Sequence, residues 1–533
     1  MKKRKIALCL VLASALAFTP VLGACSTDSL SAVDFPRDQK TSYAVTSQGG
    51  STVAYGNYIY FVNGTRGYAD TKGESNVWGK VVKGGLYRAK LNGKAVKEDG
   101  DAYTRFEPTL DIDAGLEFKY TKSTDYFDKP VNVVDVTKIA PKTIGTDGYG
   151  QGGIFIYDSH IYFASPNNEQ DSVGNIQTGR TDFYMMSLKT GKPVKVYTTS
   201  EDVDTVDAEY AFYKYGGAVY LVVNEGGTIV SVKINPTNEK AENPVMFKVK
   251  ATSVYFPVRD TYYKGIDNTT VEDFIYFVRP AKSNEEAAGI ATVIEAMRPN
   301  GKENFIISTG ANAETIEAVR DGVFFWRSQN EYGEKVIKYD NLQEQRYAHS
   351  ASYKKAQDKL AANDATKDMV DRSIRGQFET AITSSMTSTY AFRPNDDAQS
   401  NGVYFVAVTS SVMYKYDANN NAEVLYTGTT GTPMFDYNGY LYYSAGSEFY
   451  RVPLYSNHEK FGEIQMVAED TITSSLGGDY AAGYFTYFGV VDQWASGYTF
   501  FNKVDGYEGL EPQFVGKLAK SDIPTDEQIE NAK

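Results

Sequence analysis

Three residue types that usually carry chemistry are scarce in this chain of 533 residues: 2 Cys, 3 His and 3 Trp. Cys9 lies inside an apolar leader, so Cys25 is the one thiol of everything that follows. That excludes an internal disulfide and a zinc site built from several thiolates. The histidines, His160, His349 and His458, are scattered, and a His-ligated metal site needs converging ligands. No Gly-x-Ser-x-Gly elbow is present, so the hydrolase signature that relies on it is missing. Basic excess is also absent: 54 Lys and Arg face 67 Asp and Glu, a net charge of −13, with no basic stripe of the kind nucleic-acid binders carry.

What is present begins with an address. Lys2, Lys3, Arg4 and Lys5 precede an apolar stretch from Ile6 to Leu22, which ends in Leu22-Gly23-Ala24-Cys25. A basic start, a short apolar run and small residues before a cut describe a secretory signal. The run is shorter than the roughly 20 residues a membrane span needs. Leu22, Gly23, Ala24 and Cys25 resemble the Leu-small-small-Cys box of bacterial lipoproteins at every position. The resemblance implies cleavage before Cys25 and a diacylglycerol on its thiol. It also places the chain on a cell membrane, lipid-anchored and facing away from the cytoplasm, and leaves no free cysteine nucleophile. Acyl carbons supply such an anchor with about 0.8 kcal/mol per buried CH₂. Residues 1–24 are then the signal peptide and 25–50 a lipidated N-terminus with a flexible, polar tether. Loss of four basic residues leaves 50 Lys and Arg against 67 Asp and Glu, a net −17.

From residue 51 the pattern changes. The chain has 42 Tyr and 28 Phe, residues suited to a pleated, half-buried surface, and most fall in short runs. Eight runs have an aromatic or β-type centre: Ile59–Phe61, Ile161–Phe163, Val219–Leu221, Ile275–Phe277, Val323–Phe325, Val403–Phe405, Leu441–Tyr443 and Phe485–Tyr487. Several follow turn pairs such as Gly56-Asn57, Asn401-Gly402 and Asn438-Gly439, which supply the positive φ of tight hairpins. A second run follows each, as in Leu86-Tyr87-Arg88-Ala89-Lys90-Leu91, where period-two alternation marks a strand with one buried face.

The unit of turn, strand, linker, strand, turn recurs at about 40 to 60 residues, the period of a β-propeller blade. The fold class expected is all-β, a β-propeller of eight blades over 51–533, with seven as the alternative. Two longer gaps, after Tyr60 and after Phe324, read as insertions without a further strand pair. The second, at about 343–382, is rich in Ala, Lys, Gln and Asp, and Leu360, Val370, Ile374, Phe378 and Ile382 give partial helical spacing. A small helical insertion laid over one face is expected there. Tyr58-Ile59-Tyr60-Phe61 with Gly85–Lys94, and Asn438–Tyr443 with Phe449–Leu454, resemble the repeat of bacterial surface propellers related to the low-density-lipoprotein-receptor propeller. That resemblance implies fold and location and carries no catalytic signature.

Other features offer little chemistry. Gly148–Gly153 is glycine-rich, yet a strand follows it where a phosphate loop needs a helix. Asp111, Asp113 and Glu117 precede and follow a glycine without the spacing of a calcium loop, and Asp202, Asp204 and Asp207 lack the glycine altogether. Asp417, Asn419 and Asn421 read as a hairpin turn. No cofactor and no catalytic residue is expected, although a structural calcium ion would suit acidic loops. Trp78, Trp326 and Trp494 are candidate ligand contacts, since flat aromatic faces suit sugar rings, while large rings also serve ordinary cores. The function expected is therefore a membrane-anchored binding protein for a glycan, a cell-wall polymer or a protein partner, with no nucleic acid. The alternatives are a glycan hydrolase or lyase using channel carboxylates, and an accessory subunit of an envelope assembly.

Overall fold

The structure, a computed structural model, describes residues 30–35, 45–46, 48–50, 52–55, 58–63, 85–92, 103–106, 120–123, 132–140, 153–166, 181–199, 209–236, 243–257, 274–320, 323–341, 375–379, 385–392, 402–437, 439–446, 448–468, 479–481, 484–489, 498–503 and 513–514. All eight aromatic-centred runs are strands, from Tyr58–Asn63 and His160–Pro166 to Tyr440–Ala445 and Tyr484–Gly489. Each pairs antiparallel with the alternating run that follows it. The register sets Tyr60 opposite Arg88, Tyr220 opposite Lys233 and Tyr442 opposite Arg451.

Each pair gains one strand before it and one after it. The third sheet shows the pattern: Tyr210–Tyr215, Ala218–Glu225, Thr228–Ile234 and Val245–Lys250 follow one another as a meander. Seven sheets have four strands in chain order, and the first has five, because Val45–Thr46 adds outside Thr52–Tyr55. Repeated four-stranded meanders are the unit of a propeller. The pairing of third with fourth strand slips by a residue in six sheets, at Leu86/Tyr87, Phe183/Tyr184, Ser231/Val232, Ile294/Glu295, Met413/Tyr414 and Phe449/Tyr450. Bulges of this kind bend a strand and increase its twist, which lets each outer strand turn away from the sheet beside it.

The core is a series of seams between consecutive sheets. One apolar cluster joins the first sheet to the second, another the second to the fourth, and others the fourth to fifth, fifth to sixth and sixth to seventh. Aromatic pairs cross them: Tyr162 lies 5.1 Å from Phe212, Tyr276 5.3 Å from Phe324, and Phe378 5.5 Å from Phe405. Each such pair contributes about 0.5–1.5 kcal/mol beyond its area. First strands lie side by side: Thr52–Tyr55 neighbours both Phe155–Tyr157 and Asp479–Ala481, so the eighth sheet sits beside the first. Tyrosines stitch these strands together. Tyr157 donates to the Phe212 carbonyl at 2.9 Å, and Tyr210 donates to the Gly153 carbonyl at 2.8 Å.

Two expectations are corrected. The gap after Tyr60 holds an additional strand pair, Tyr103–Phe106 with Tyr120–Ser123, and then Asn132–Ala140, the last strand of the first sheet. The pair escapes notice because Thr104, Arg105, Thr121 and Lys122 dilute its apolar signal. In the expected helical insertion, Arg375–Phe378 is the outer strand of the fifth sheet, paired with Lys335–Asn341. Phe378 is buried, with its ring 5.0 Å from Tyr339. One large aromatic on a polar outer strand imitates sparse helical spacing. The segments 342–374 and 380–384 lie outside the described residues. The helix that is described, α1, covers Ser283–Glu286 only, and among the described residues no helix is long and apolar enough to cross a membrane.

Part of the span read as a tether is packed. Val33 donates its N–H to the Gly191 carbonyl at 3.0 Å, and Leu30, Val33 and Phe35 join the first seam. Gly191 has φ +65°, and a Cβ there would lie 1.6 Å from the Val33 carbonyl oxygen, so the docked strap requires glycine. Phe35 and Tyr58 sandwich the Arg88 guanidinium, 4.5 and 4.2 Å from the ring centroids. Arg88 is fully buried, and among the described residues none of its side-chain nitrogens has a hydrogen-bond partner. Two cation–π contacts, at up to about 2 kcal/mol each when desolvated, stand against the several kcal/mol of desolvating an ion. Phe35→Ala is expected to lower the midpoint of thermal unfolding, by a destabilisation of about 3 kcal/mol. Arg88→Met, similar in volume and uncharged, is expected to raise that midpoint; a fall would show that the cation–π pair outweighs desolvation.

Candidate functional site

Of the residues the sequence nominates, Trp326 is placed. It lies on Val323–Gln329, packs 5.6 Å from the Phe324 ring within the seam of the fourth and fifth sheets, and is 7% exposed. Burial leaves its ring no open face for a sugar. Trp78, Trp494, Cys25, Leu22, Gly23 and Ala24 lie outside the described residues, as do His349 and the Asp111 and Asp202 clusters. His160 closes a tight turn through the Asp158 carbonyl at 2.8 Å. The Lys460 N–H donates to His458 Nδ1 at 3.0 Å, so the ring proton of neutral His458 sits on Nε2, 2.8 Å from the Tyr440 hydroxyl. Asp417 accepts from the N–H groups of Asn419 and Asn421 and from the Asn421 amide, each at 2.9 Å. Burial raises its pKa, but those bonds and the nearby Lys415 outweigh this and hold it below the usual range. It is a hairpin turn, as its sequence suggests.

A cavity of about 110 Å³ opens elsewhere, at the seam of the fifth and sixth sheets. Arg327 and Lys335 line it from the fifth sheet, and Thr387, Ser388 and Thr389 from the approach to and start of strand Ser388–Phe392 in the sixth. The placement follows from the strand period. Arg327 sits opposite Ile337, and Gln329 opposite Lys335, so Arg327 and Lys335 stand on one face of the sheet. The adjacent Trp326 points to the other face, into the apolar seam.

Glu317 organises the cavity wall. Its two carboxylate oxygens accept from Arg327 Nε at 2.8 Å and from the Thr389 hydroxyl at 2.7 Å. The Thr387 hydroxyl donates to the Val408 carbonyl and the Ser388 hydroxyl to the Gly431 carbonyl, both at 3.1 Å. All three hydroxyl protons are thus committed; Thr387 and Thr389 keep their capacity to accept, while Ser388 turns its hydroxyl away, toward the seventh sheet. Among the described residues, neither the terminal nitrogens of Arg327 nor the Lys335 ammonium has a partner. No motif marks this group; the one signal in the sequence is the hydroxyl-rich run Ser384–Thr389.

The same rim continues toward the fourth sheet through Asn312, which donates to the Gln329 side chain at 2.6 Å and accepts from the Thr292 hydroxyl at 2.7 Å. Beyond it, α1 carries Glu285, which grips both terminal nitrogens of Arg279 at 2.8 and 3.0 Å. Arg279 also donates to Glu295 at 2.6 Å, and Asn304 donates to the other Glu295 oxygen at 3.1 Å. The hydrogen bonds from Arg279 and from the Lys282 N–H hold the Glu285 carboxyl at about 2. This network is closed: every charge on it has a partner, so it fixes the rim and offers nothing to a ligand.

No protein-family model matches the chain, and no curated protein matches it. Among solved structures, apo AztD from Citrobacter koseri is similar at 6% identity over 78% of this chain and 94% of that one, with a TM-score of 0.34. An oligogalacturonate lyase in complex with manganese is similar at 9% identity over 74% and 98%, with a TM-score of 0.31. TolB from Acinetobacter baumannii is similar at 9% identity over 66% and 81%, with a TM-score of 0.25. At such scores the likenesses assign neither family nor activity.

The Glu285 carboxyl, depressed from 4.5 to about 2, contributes stability above its unfolded value and loses it as pH falls through the folded one. Glu285→Gln is therefore expected to lower the urea midpoint at neutral pH, and the gap from the parent protein should narrow steadily as pH drops below about 4.5. A gap independent of pH would show that the ion pair contributes nothing.

Proposed function

We propose that this chain is a lipid-anchored, extracytoplasmic β-propeller of eight blades that binds a glycan, a cell-wall polymer or a protein partner. The Leu22–Cys25 box supports the anchor, and eight successive meander sheets, the last beside the first, support the blade count. One observation favours binding over turnover. At the seam cavity the carboxylate present, Glu317, has both oxygens engaged by Arg327 and Thr389. Glycoside hydrolysis needs two carboxyl groups about 5–9.5 Å apart, one of them free to give a proton and the other to attack or to activate water. What the cavity offers instead, among the described residues, is the Lys335 ammonium and the free terminal nitrogens of Arg327 beside threonine hydroxyl oxygens.

Two measurements test this reading. In a bacterial host that processes lipoproteins, the parent protein is expected to incorporate labelled fatty acid and to fractionate with membranes, and Cys25→Ser is expected to do neither. Labelling that survives in Cys25→Ser would remove the anchor from the proposal. Detergent-solubilised protein is then incubated with purified cell wall and soluble glycans. Selective, sugar-competed retention with no fall in chain length supports a binding protein; release of shortened or unsaturated products would make it a hydrolase or lyase.

A further inference from the structure

The cavity between the fifth and sixth sheets is small. At about 110 Å³ it holds a few water molecules' worth of volume, taking a water's share of liquid as about 30 Å³. Pockets that engulf a whole drug-sized ligand run from about 300 Å³ upward. What fits is a single functional group, with the rest of its molecule outside.

The chemistry of the wall says which group. Arg327 is tethered through Nε to Glu317, which orients its fork and leaves both terminal nitrogens available. That edge matches a carboxylate or phosphate in two-pronged geometry. Lys335 adds a second cation. Against these stands the one charge of Glu317, so the cavity itself is net positive in a chain whose total is −13. Glu334, beside Lys335 on the same hairpin turn, is held by Asn330 at 2.8 Å. Thr387 and Thr389 each already donate elsewhere but can still accept, whereas Ser388, one residue along the strand, turns its hydroxyl to Gly431 at the start of the seventh sheet and lends the cavity no hydroxyl. Val336, Ile337 and Met386 complete the lining, and a ligand that satisfies its polar part presents one oxyanion flanked by O–H or N–H donors.

We propose that this cavity binds the acidic group of a sugar, a carboxylate or a phosphate ester, with neighbouring sugar hydroxyls donating to Thr387 and Thr389. The proposal rests on the binding reading above and narrows it to acidic saccharides. A neutral glycan leaves the Lys335 charge and the terminal nitrogens of Arg327 unmet, and a bare anion leaves the two threonine acceptors unmet; an acidic sugar meets both.

The test uses the full chain in detergent and isothermal titration with four probes: a uronic-acid trisaccharide, its neutral counterpart, a sugar phosphate and inorganic phosphate. An acidic sugar is expected to bind at least tenfold more tightly than the neutral trisaccharide and than inorganic phosphate, and to weaken as salt rises. Whichever acidic sugar binds more tightly names the source of the oxyanion. Arg327→Gln is expected to lose tenfold or more. Because that change also releases Glu317, Lys335→Gln serves as the second variant: Lys335 is exposed and has no partner among the described residues, so the fold should be unaltered while acidic-sugar binding falls several-fold. Neutral and acidic sugars binding equally, with both variants unchanged, would overturn the proposal and leave the binding reading standing. Retention on cell wall that acidic sugars fail to compete would also overturn it. Absence of all retention, on cell wall and sugars alike, would sink both.

Discussion

Each central sheet in this chain has two apolar faces, and neither can be buried within the sheet that bears it. The third sheet makes the point: five consecutive residues of its second strand, Val219–Val223, are buried, so both faces are covered. Cover comes from the sheets before and after it in the chain. Stability is therefore a property of seams. A seam is made of aromatic pairs such as Phe183 and Tyr210, 5.0 Å apart, and of hydrogen bonds from a first-strand tyrosine to the neighbouring backbone. The described sheets contain no cysteine, so no disulfide holds them together, and an end-to-end stack would leave two faces wet. The position of Asp479–Ala481 beside Thr52–Tyr55 removes that difficulty by giving the last sheet the first as its partner.

Seam packing explains which parts of the fold were legible in the sequence. Second and third strands lie in the middle of each sheet, where second strands such as Ala218–Glu225 and Ile275–Pro280 are buried on both sides, and they are rich in aromatic and β-branched residues; all eight pairs could be read, with boundaries within a few residues. Outer strands face solvent. Val245–Lys250 and Ala422–Thr427 are largely exposed and carry Lys248, Lys250 and Glu423, so their hydrophobic signal is thin. Lysines on an outer edge also discourage pairing with another chain. Some first strands are short: Phe155–Tyr157 and Ser253–Tyr255 have three residues each, too few for alternation to register. Phe378 misled in a related way, because one buried ring on a polar outer strand carries no period of its own.

The seam cavity was illegible for a different reason. Its members come from the second and third strands of one sheet and the first strand of the next, 52 to 62 residues apart from Arg327 to Thr387–Thr389 and Lys335 to Thr387. No spacing rule connects them. They meet only because seams bring the first strand of each sheet against the middle strands of its predecessor. Trp326, by contrast, was conspicuous by type and is structural by position: its strand period sends it to the seam opposite the one that Arg327 faces.

Cations recur along these seams, and their partners separate structure from site. Arg298 stacks 3.8 Å over Phe274 and 4.8 Å over Tyr215 of the preceding sheet. Lys415 bonds to Glu423 at 2.9 Å and lies between Tyr404 and the next sheet's Tyr455. Arg451 stacks on Tyr440, and Arg88 sits between Phe35 and Tyr58. Each of the four has its charge covered by rings, in some cases with an added carboxylate or carbonyl, and each ties a strand or strap to its neighbour. Arg327 and Lys335 occupy a comparable seam without an aromatic partner; hydroxyl oxygens stand where the rings would be. A cation over a ring is satisfied by the fold alone. The terminal nitrogens of Arg327 and the Lys335 ammonium, covered by no ring and hydrogen-bonded to nothing among the described residues, remain for a ligand to bond.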